Sequence, residues 1–262
     1  MQENNTRQSE EYNSATAVLC SALNVDFHGI RVLSNIHIAF RRNAITSLIG
    51  EEGSGKTTLL RAINRSNEEF AASDTSGTVY FNGSNLYAPA TDLAALRRKI
   101  AYIFPEPRPF PVSVYANISW AARFHKMSSD LDRLVEESLK EGGLWDELKD
   151  KLRRPASTLS PGQQQRLCIA RALALKPEII LMDEPASSLD ALSAGRVESL
   201  IRQLKTSYTV IVANRSVQRA SRISDYCAFL QDGSTVEFGD TGDLFLNPKD
   251  PRTEQFLSRS MH

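Results

Sequence analysis

Cysteine is scarce in this sequence: Cys20, Cys168 and Cys227 are the three among 262 residues. They are odd in number, far apart and without a CxxC pair, which excludes a disulfide scaffold and marks them as reduced core residues of a cytosolic protein. Long apolar runs are missing too. No stretch reaches the roughly 18 consecutive apolar residues of a membrane-spanning helix, and residues 1–10 are too polar for a secretory signal. If the protein works at a membrane, other subunits must span it. Neither sign of charge is in excess, because 31 basic and 31 acidic side chains cancel to a formal charge of zero. A non-specific nucleic-acid binder normally carries a basic excess or stripe, so this balance removes the global argument for nucleic acid and leaves only local basic sites open.

What is present is a 41% hydrophobic complement. At about 100–200 residues per domain, that suffices for one large globular unit or two packed ones that bury a core without staples. Disordered and collagenous classes are thereby excluded. Residues 1–16, rich in Asn, Glu, Ser and Gln, are expected to be a mobile tail, followed by a single domain over 17–262. Short β-like runs at 23–27, 36–40, 45–49 and 78–81 are broken by Gly and Asn turns, and a helix fits 56–64. The character changes over about 112–165, where 116–124 and 131–142 have helical spacing, as in an inserted helical subdomain. The last third alternates: helix 164–175, strand 179–182, helix 191–205, strand 209–213, then strand-like runs at 227–230 and 235–237. These lengths argue for a parallel sheet in an α/β core.

The strongest local signal is Gly50-Glu51-Glu52-Gly53-Ser54-Gly55-Lys56-Thr57, followed by Thr58, which fits G-x-x-x-x-G-K-[ST] between a predicted strand and a predicted helix. Glycines let the backbone wrap closely so that its amides meet phosphate oxygens, and the helix start adds its positive dipole end. Lys56 would reach the β- and γ-phosphates and the Thr57 hydroxyl would ligate Mg²⁺. A chance Gly-rich turn would not bring the flanking strand and helix. Glu51 and Glu52 are unexpected beside a triphosphate and tolerable only if they point outward. A second element, Ile179-Ile-Leu-Met-Asp183-Glu184, is an apolar strand ending in two acids. Asp183 would hold Mg²⁺ through water and Glu184 would act as general base toward the attacking water. Alone that ending is common; its value comes from pairing with the phosphate loop. A guanine reader has no support, since Asn247-Pro-Lys-Asp250 has the wrong order and lies in the C-terminal tail.

Just ahead of the acidic strand, Leu159-Ser160-Pro161-Gly162-Gln163, continuing through Arg166 and Arg171, resembles the signature motif of ABC-type ATPases, whose usual form is Leu-Ser-Gly-Gly-Gln. In that family Ser160, the Gly162 amide and Gln163 would form a second phosphate grip, used across a head-to-tail dimer against the partner's phosphate loop. Ser187-Ser188-Leu189-Asp190 follows Glu184 where the family carries its dimer-communication loop, which argues against an ordinary Ser-capped helix. Phe27, before His28 and Gly29, matches the aromatic that stacks on adenine; the competing reading is a core Phe on a strand. The resemblance covers nearly all of the chain after residue 17. The stretches 107–118, 163–174, 223–226, 237–241 and 247–254 resemble the ATP-binding subunit of bacterial phosphate importers. It implies an α/β P-loop NTPase fold with a RecA-like core, an antiparallel β subdomain and an inserted helical subdomain. It further implies an ATPase using ATP and Mg²⁺ and a second ABC ATPase subunit as homodimer or heterodimer partner. Integral membrane permease subunits would be direct partners and a periplasmic or extracellular binding protein an indirect one, with the chain peripheral at the cytoplasmic face of the inner membrane. Phosphate as cargo rests on the resemblance alone.

Three positions depart from the family's pattern. Pro105 follows Ile103-Phe104 where the family has a Gln that contacts Mg²⁺ or water, and Pro has neither a side-chain amide nor a backbone N–H; neighbouring Glu106 is the candidate substitute. Arg215 follows Asn214 where the family has a His, and a guanidinium can bind phosphate by charge without reproducing imidazole geometry. Pro161 in the signature removes one amide. Losing one preorganised donor costs on the order of 10²–10³ in rate, whereas binding keeps the loop backbone, Lys56, Thr57 and Asp183. The expectation is tight ATP binding with slow hydrolysis. A homodimer would repeat all three departures in each site; pairing with a consensus subunit would leave one site nearly competent. The competing function is a weakly hydrolytic or non-catalytic ABC subunit acting as an ATP-gated regulator or heteromeric partner. A soluble ABC protein acting on ribosomes or DNA usually has tandem ATPase domains or long insertions, and neither is present.

Overall fold

The computed structural model describes residues 14–260. In chain order it runs β1 (Thr16–Phe27), β2 (Ile30–Arg41), β3 (Ile45–Ile49), α1 (Lys56–Ile63), β4 (Ser73–Phe81), β5 (Ser84–Asn85), α2 (Leu93–Lys99) and β6 (Ile100–Ile103). Then come α3 (Val114–Phe124), α4 (Leu131–Glu141), α5 (Trp145–Leu148), α6 (Pro161–Leu173), β7 (Ile179–Asp183), α7 (Ala191–Leu204) and β8 (Thr209–Ala213). The chain closes with α8 (Val217–Ile223), β9 (Tyr226–Gln231), β10 (Ser234–Asp240), α9 (Thr241–Leu246) and α10 (Pro251–Ser260). Of the tail expected over 1–16, residues 1–13 lie outside the described residues, and Thr16 already opens the first strand.

Two sheets form. One is antiparallel with order β2-β1-β4-β5; the other has order β10-β9-β3-β8-β7-β6, in which β9, β3, β8, β7 and β6 run parallel and β10 returns antiparallel on β9. Strands β3, β7 and β8 are buried at every position because helices cover both faces, which is why they read as short continuous runs with no polar alternation. Their side chains still alternate between layers. Leu181 and Ile211 join Leu59, Leu60 and Ile63 of α1 on one face, while Ile180, Met182, Val210 and Val212 meet α6 and α7 on the other. Each such fully buried side chain contributes about 1.5–3 kcal/mol. All three cysteines are buried and unpaired, and burial pushes the Cys20 thiol up to about 12.

The helical segment has its own core. Val114, Ile118 and Ala122 recur every fourth residue along α3 and meet Leu134, Val135 and Leu139 of α4. Ser113 and Asp130 cap these two helices through the Ala116 and Arg133 amides. Helix α6 belongs to both layers: Leu167 and Ala170 face α3 and α4, whereas Ile169 and Leu173 face the parallel sheet. Helix α6 therefore joins the helical segment to the sheet that carries Asp183.

Sequence patterning missed α2, α5, α8, α9, α10, β5 and β6 and shortened β1, β2 and β4. Helix α2 buries a single residue, Leu96, so no apolar stripe shows. In β1 the register shifts between Cys20 and Leu23, with Ala22 at φ 47°, and this breaks the alternation that marks a strand.

Candidate functional site

The parallel register sets Leu48 of β3 and Asp183 of β7 each opposite Ala213 of β8. The segments that leave these strands, at Gly50, Glu184 and Asn214, emerge side by side at the carboxyl ends, where open α/β sheets bind ligands. At Gly50, φ is +148° and an added Cβ would stand 2.2 Å from the Leu230 carbonyl oxygen, so the loop passes under β9 only as glycine. The loop enters α1 at Gly55 with no side-chain cap, leaving the opening amides without a side-chain acceptor. Lys56 folds back over the loop: its buried ammonium donates to the Gly50 and Glu51 carbonyls at 2.7 Å each and to Ser54 Oγ at 3.2 Å. Burial lowers its pKa, opposed chiefly by the Glu184 carboxylate.

Asp183 is buried and accepts from Thr57 Oγ1 at 2.9 and 3.1 Å. It also accepts from the Tyr102 hydroxyl at 2.9 Å. Burial pushes the Tyr102 phenol up, and the carboxylate adds to it, so the phenol stays a donor. Glu184 sits at φ 46° with its amide donating to the Ala213 carbonyl at 3.0 Å. Its carboxylate meets Arg215 Nε at 3.1 Å, and Arg215 Nη2 reaches Glu52 Oε1 at 2.9 Å. Val32, residues 52–58, Glu184 and Arg215 line one cleft of about 310 Å³, and Asp183 is joined to its wall through Thr57. Its polar walls, loop backbone and buried lysine suit an oligophosphate.

The donor set also fits Mg²⁺. That ion takes one or two carboxylate or hydroxyl oxygens and completes its shell with water and phosphate, and Thr57 Oγ1 and Asp183 are already within hydrogen-bond distance of each other. Among the described residues no group of three or more His, Cys, Asp or Glu side chains is placed to hold a metal by itself.

Of the residues singled out in sequence, the fold brings together 52–58, Asp183, Glu184 and Arg215. The expectation that both loop acids turn outward is corrected for Glu52: Glu51 is exposed outside the cleft, but Glu52 lines it, with its charge met by Arg215. Glu106, the candidate substitute for the missing Gln if the loop shifts, stands away from the cleft. It lines a groove with Arg108, Phe110 and Arg171 rather than this cleft. Beside Pro105, the Phe104 carbonyl instead accepts from Gln165 Nε2 of α6 at 3.0 Å. Phe27 is half-buried and packs edge-on against Phe70 with ring centres 6.1 Å apart; it does not line the cleft.

Ser160, Gly162 and Gln163 lie at the start of α6, also outside the cleft. Ser160 Oγ accepts from the Gln163 amide at 3.3 Å and Gln163 Oε1 accepts from the Ser160 amide at 3.1 Å, a reciprocal capping box. Gln163 Nε2 further donates to Glu147 at 2.8 Å. Pro161 occupies the first helical turn, where its missing N–H leaves no intrahelical bond unmade. A Cβ at Gly162 would lie 2.6 Å from Ser193 Oγ of α7, so this glycine also answers a close helix contact. Tyr102, Glu147 and Gln165 escaped sequence reasoning; each acts through a partner distant in the chain, and no local spacing announces it.

Comparison with known proteins agrees with this geometry. A family model described as ABC transporter matches residues 33–187. The phosphate import ATP-binding protein PstB 1 of Streptococcus agalactiae serotype III (strain NEM316) is 47% identical over 240 residues, covering 91% of this chain and 95% of that protein. The phosphate import ATP-binding protein PstB of Borreliella afzelii (strain PKo) is 47% identical over 238 residues, covering 90% and 92%. Among solved structures, cbiO1 from Clostridium perfringens, part of the ABC transporter complex cbiONQ, superposes with a TM-score of 0.79 at 23% identity, over 94% of this chain and 100% of that one. A dimeric ATP-binding cassette in a post-hydrolysis state with ADP and Pi gives 0.73 at 25% identity, over 86% and 98%.

Proposed function

This chain belongs to the ABC transporter family, and from that premise we propose that it is the ATP-binding and hydrolysing subunit of an importer for inorganic phosphate. The observation that carries the reading is the convergence of residues 52–58 and Glu184 on one cleft, with Asp183 hydrogen-bonded to Thr57 in its wall. The cargo is supported by the names of its curated relatives.

In this reading the amides of residues 50–58 and Lys56 hold the phosphates of ATP, Phe27 stacks on adenine, and Thr57 with Asp183 holds Mg²⁺. Bound there, such an ion would supply positive charge to offset that of the phosphates. Glu184 accepts the proton of the attacking water. Ser160, Gly162 and Gln163 supply a second phosphate contact to the partner subunit of an ATPase dimer. Dimer closure drives integral membrane permease subunits from the cytoplasmic face, and a periplasmic or extracellular binding protein is engaged only indirectly. Among the described residues no helix is long and apolar enough to cross a membrane.

A second reading, an ATP-gated subunit with slow hydrolysis, is favoured by the ion pair that occupies Glu184 and by Pro105 in the loop after β6. Steady-state ATPase assay of the chain with its co-purified permeases tests both. Restoring the family residues with Pro105→Gln and Arg215→His is expected to raise turnover by on the order of 10²-fold. No gain would overturn the slow reading, and failure to recover any permease would overturn the transport reading.

A further inference from the structure

Two oddities of the sequence meet in space. Glu52 is an acid inside a loop built for phosphate, and Arg215 is a guanidinium where the resemblance led to a histidine. Arg215 Nη2 lies 2.9 Å from Glu52 Oε1 and Arg215 Nε lies 3.1 Å from Glu184 Oε2, so one side chain bridges the two carboxylates across the cleft. Glu52 alone would repel an incoming oligophosphate. Paired, its charge is met, and it holds the guanidinium above the loop that begins α1. The fork of an arginine serves two acceptors at once. One edge can stay on Glu52 while Nε exchanges Glu184 for a phosphate oxygen.

Magnitudes favour that exchange. The pair that opens joins Arg215, 57% exposed, to Glu184, 19% exposed, and an ion pair so open to water on one side contributes modestly to stability. The bridge is therefore a contact that a multiply charged ligand can take over. We propose that Glu52 and Arg215 act as one unit: Glu52 is a positioning residue for Arg215, and Arg215 makes the cleft prefer a nucleoside triphosphate over a diphosphate. Until the terminal phosphate displaces it, Arg215 keeps the Glu184 carboxylate occupied. This rests on the nucleotide-site reading above, and it gives the loop acid a role of its own.

The test is equilibrium binding of ATP and of ADP, each with Mg²⁺, to the wild-type chain, Glu52→Gln, Arg215→Ala and the double variant, followed by displacement of a fluorescent nucleotide. Arg215→Ala lowers the ATP-over-ADP preference by about ten- to hundredfold, the loss expected of one hydrogen bond to a charged group, with ADP affinity nearly unchanged as the control for an intact fold. Glu52→Gln lowers the preference by about two- to fivefold, the range of an exposed pair. In the Arg215→Ala background, where the carboxylate is left unpaired, the same substitution raises it. That reversal of sign identifies a positioning role, since a carboxylate that merely repels phosphate would give a rise in both backgrounds. The same sign in both, no effect in either, or an unchanged preference or lost ADP binding in Arg215→Ala overturns the proposal alone. Absence of nucleotide binding by the wild-type chain overturns the nucleotide-site reading and this proposal together.

Discussion

The chain has two helix starts that carry phosphate-type patterns, and they are finished in opposite ways. Helix α1 begins at Gly55 with no side-chain cap, after a loop whose carbonyls are drawn toward Lys56, so its first amides remain open to an anion. Helix α6 begins at Ser160 inside a capping box, with Gln163 also bound to Glu147, which Arg166 pairs at 2.9 Å. In the proposed function the first start is a site by itself. The second is stable by itself, and in the proposed function it meets phosphate only when a partner subunit presents one. An uncapped helix start leaves its donors unmet and yields ligand affinity; a capped one gives up part of that affinity for a fixed geometry.

The largest effect should come from breaking the open start. Lys56→Ala removes the buried ammonium from the loop, and hydrolysis is expected to fall by on the order of 10²–10³, with ATP affinity falling in the same direction; turnover and nucleotide titration read both. An intermediate effect belongs to the closed start. Ser160→Ala deletes half of the capping box and should cost about 1 kcal/mol in urea-induced unfolding, while ATP affinity of the single chain stays within error. A drop in that affinity would show that the two starts are not separate in one subunit. The smallest effect concerns Glu147. Burial works against its ionised form, but hydrogen bonds from Gln163 and Arg166 and the charges of Arg166 and Arg196 win, and its pKa falls below the ordinary value of 4.5. A carboxyl whose folded pKa lies below its unfolded one adds stability above the unfolded value and loses it as pH falls through the folded one. Acidification below about pH 4.5 should therefore destabilise the wild type more than Glu147→Gln, by less than about 1 kcal/mol for a partly exposed group. Parallel losses in both would remove Glu147 from the account of the closed start.

Much of the fold was legible where identity and spacing act locally. The runs 179–183 and 209–213 are apolar at nearly every position because a strand covered on both faces has no solvent side to mark with polar residues, and 45–49 buries Thr46 and Ser47 with the rest. Residues 50–57 were legible for a related reason, since a loop that wraps closely needs glycine and a helix start needs Lys56 and Thr57 in fixed order. Less legible were segments whose burial depends on neighbours. Helix α2 rests on Leu96 alone and β6 spans four residues, too little for a period to appear. Within the candidate site, Asp183 was visible as a strand end, whereas its hydrogen bond from Tyr102 was not, because β6 and β7 are paired by sheet order rather than by sequence.

Residue order alone settled that a phosphate loop precedes one helix and that two acids end a buried strand, because each depends on groups only a few residues apart. It could not say which charges would neutralise one another. That was decided when β3, β7 and β8 took their mutual register and set Glu52, Glu184 and Arg215 around one cleft. Charge interactions follow distance through space, and a chain specifies that distance only after its strands have paired.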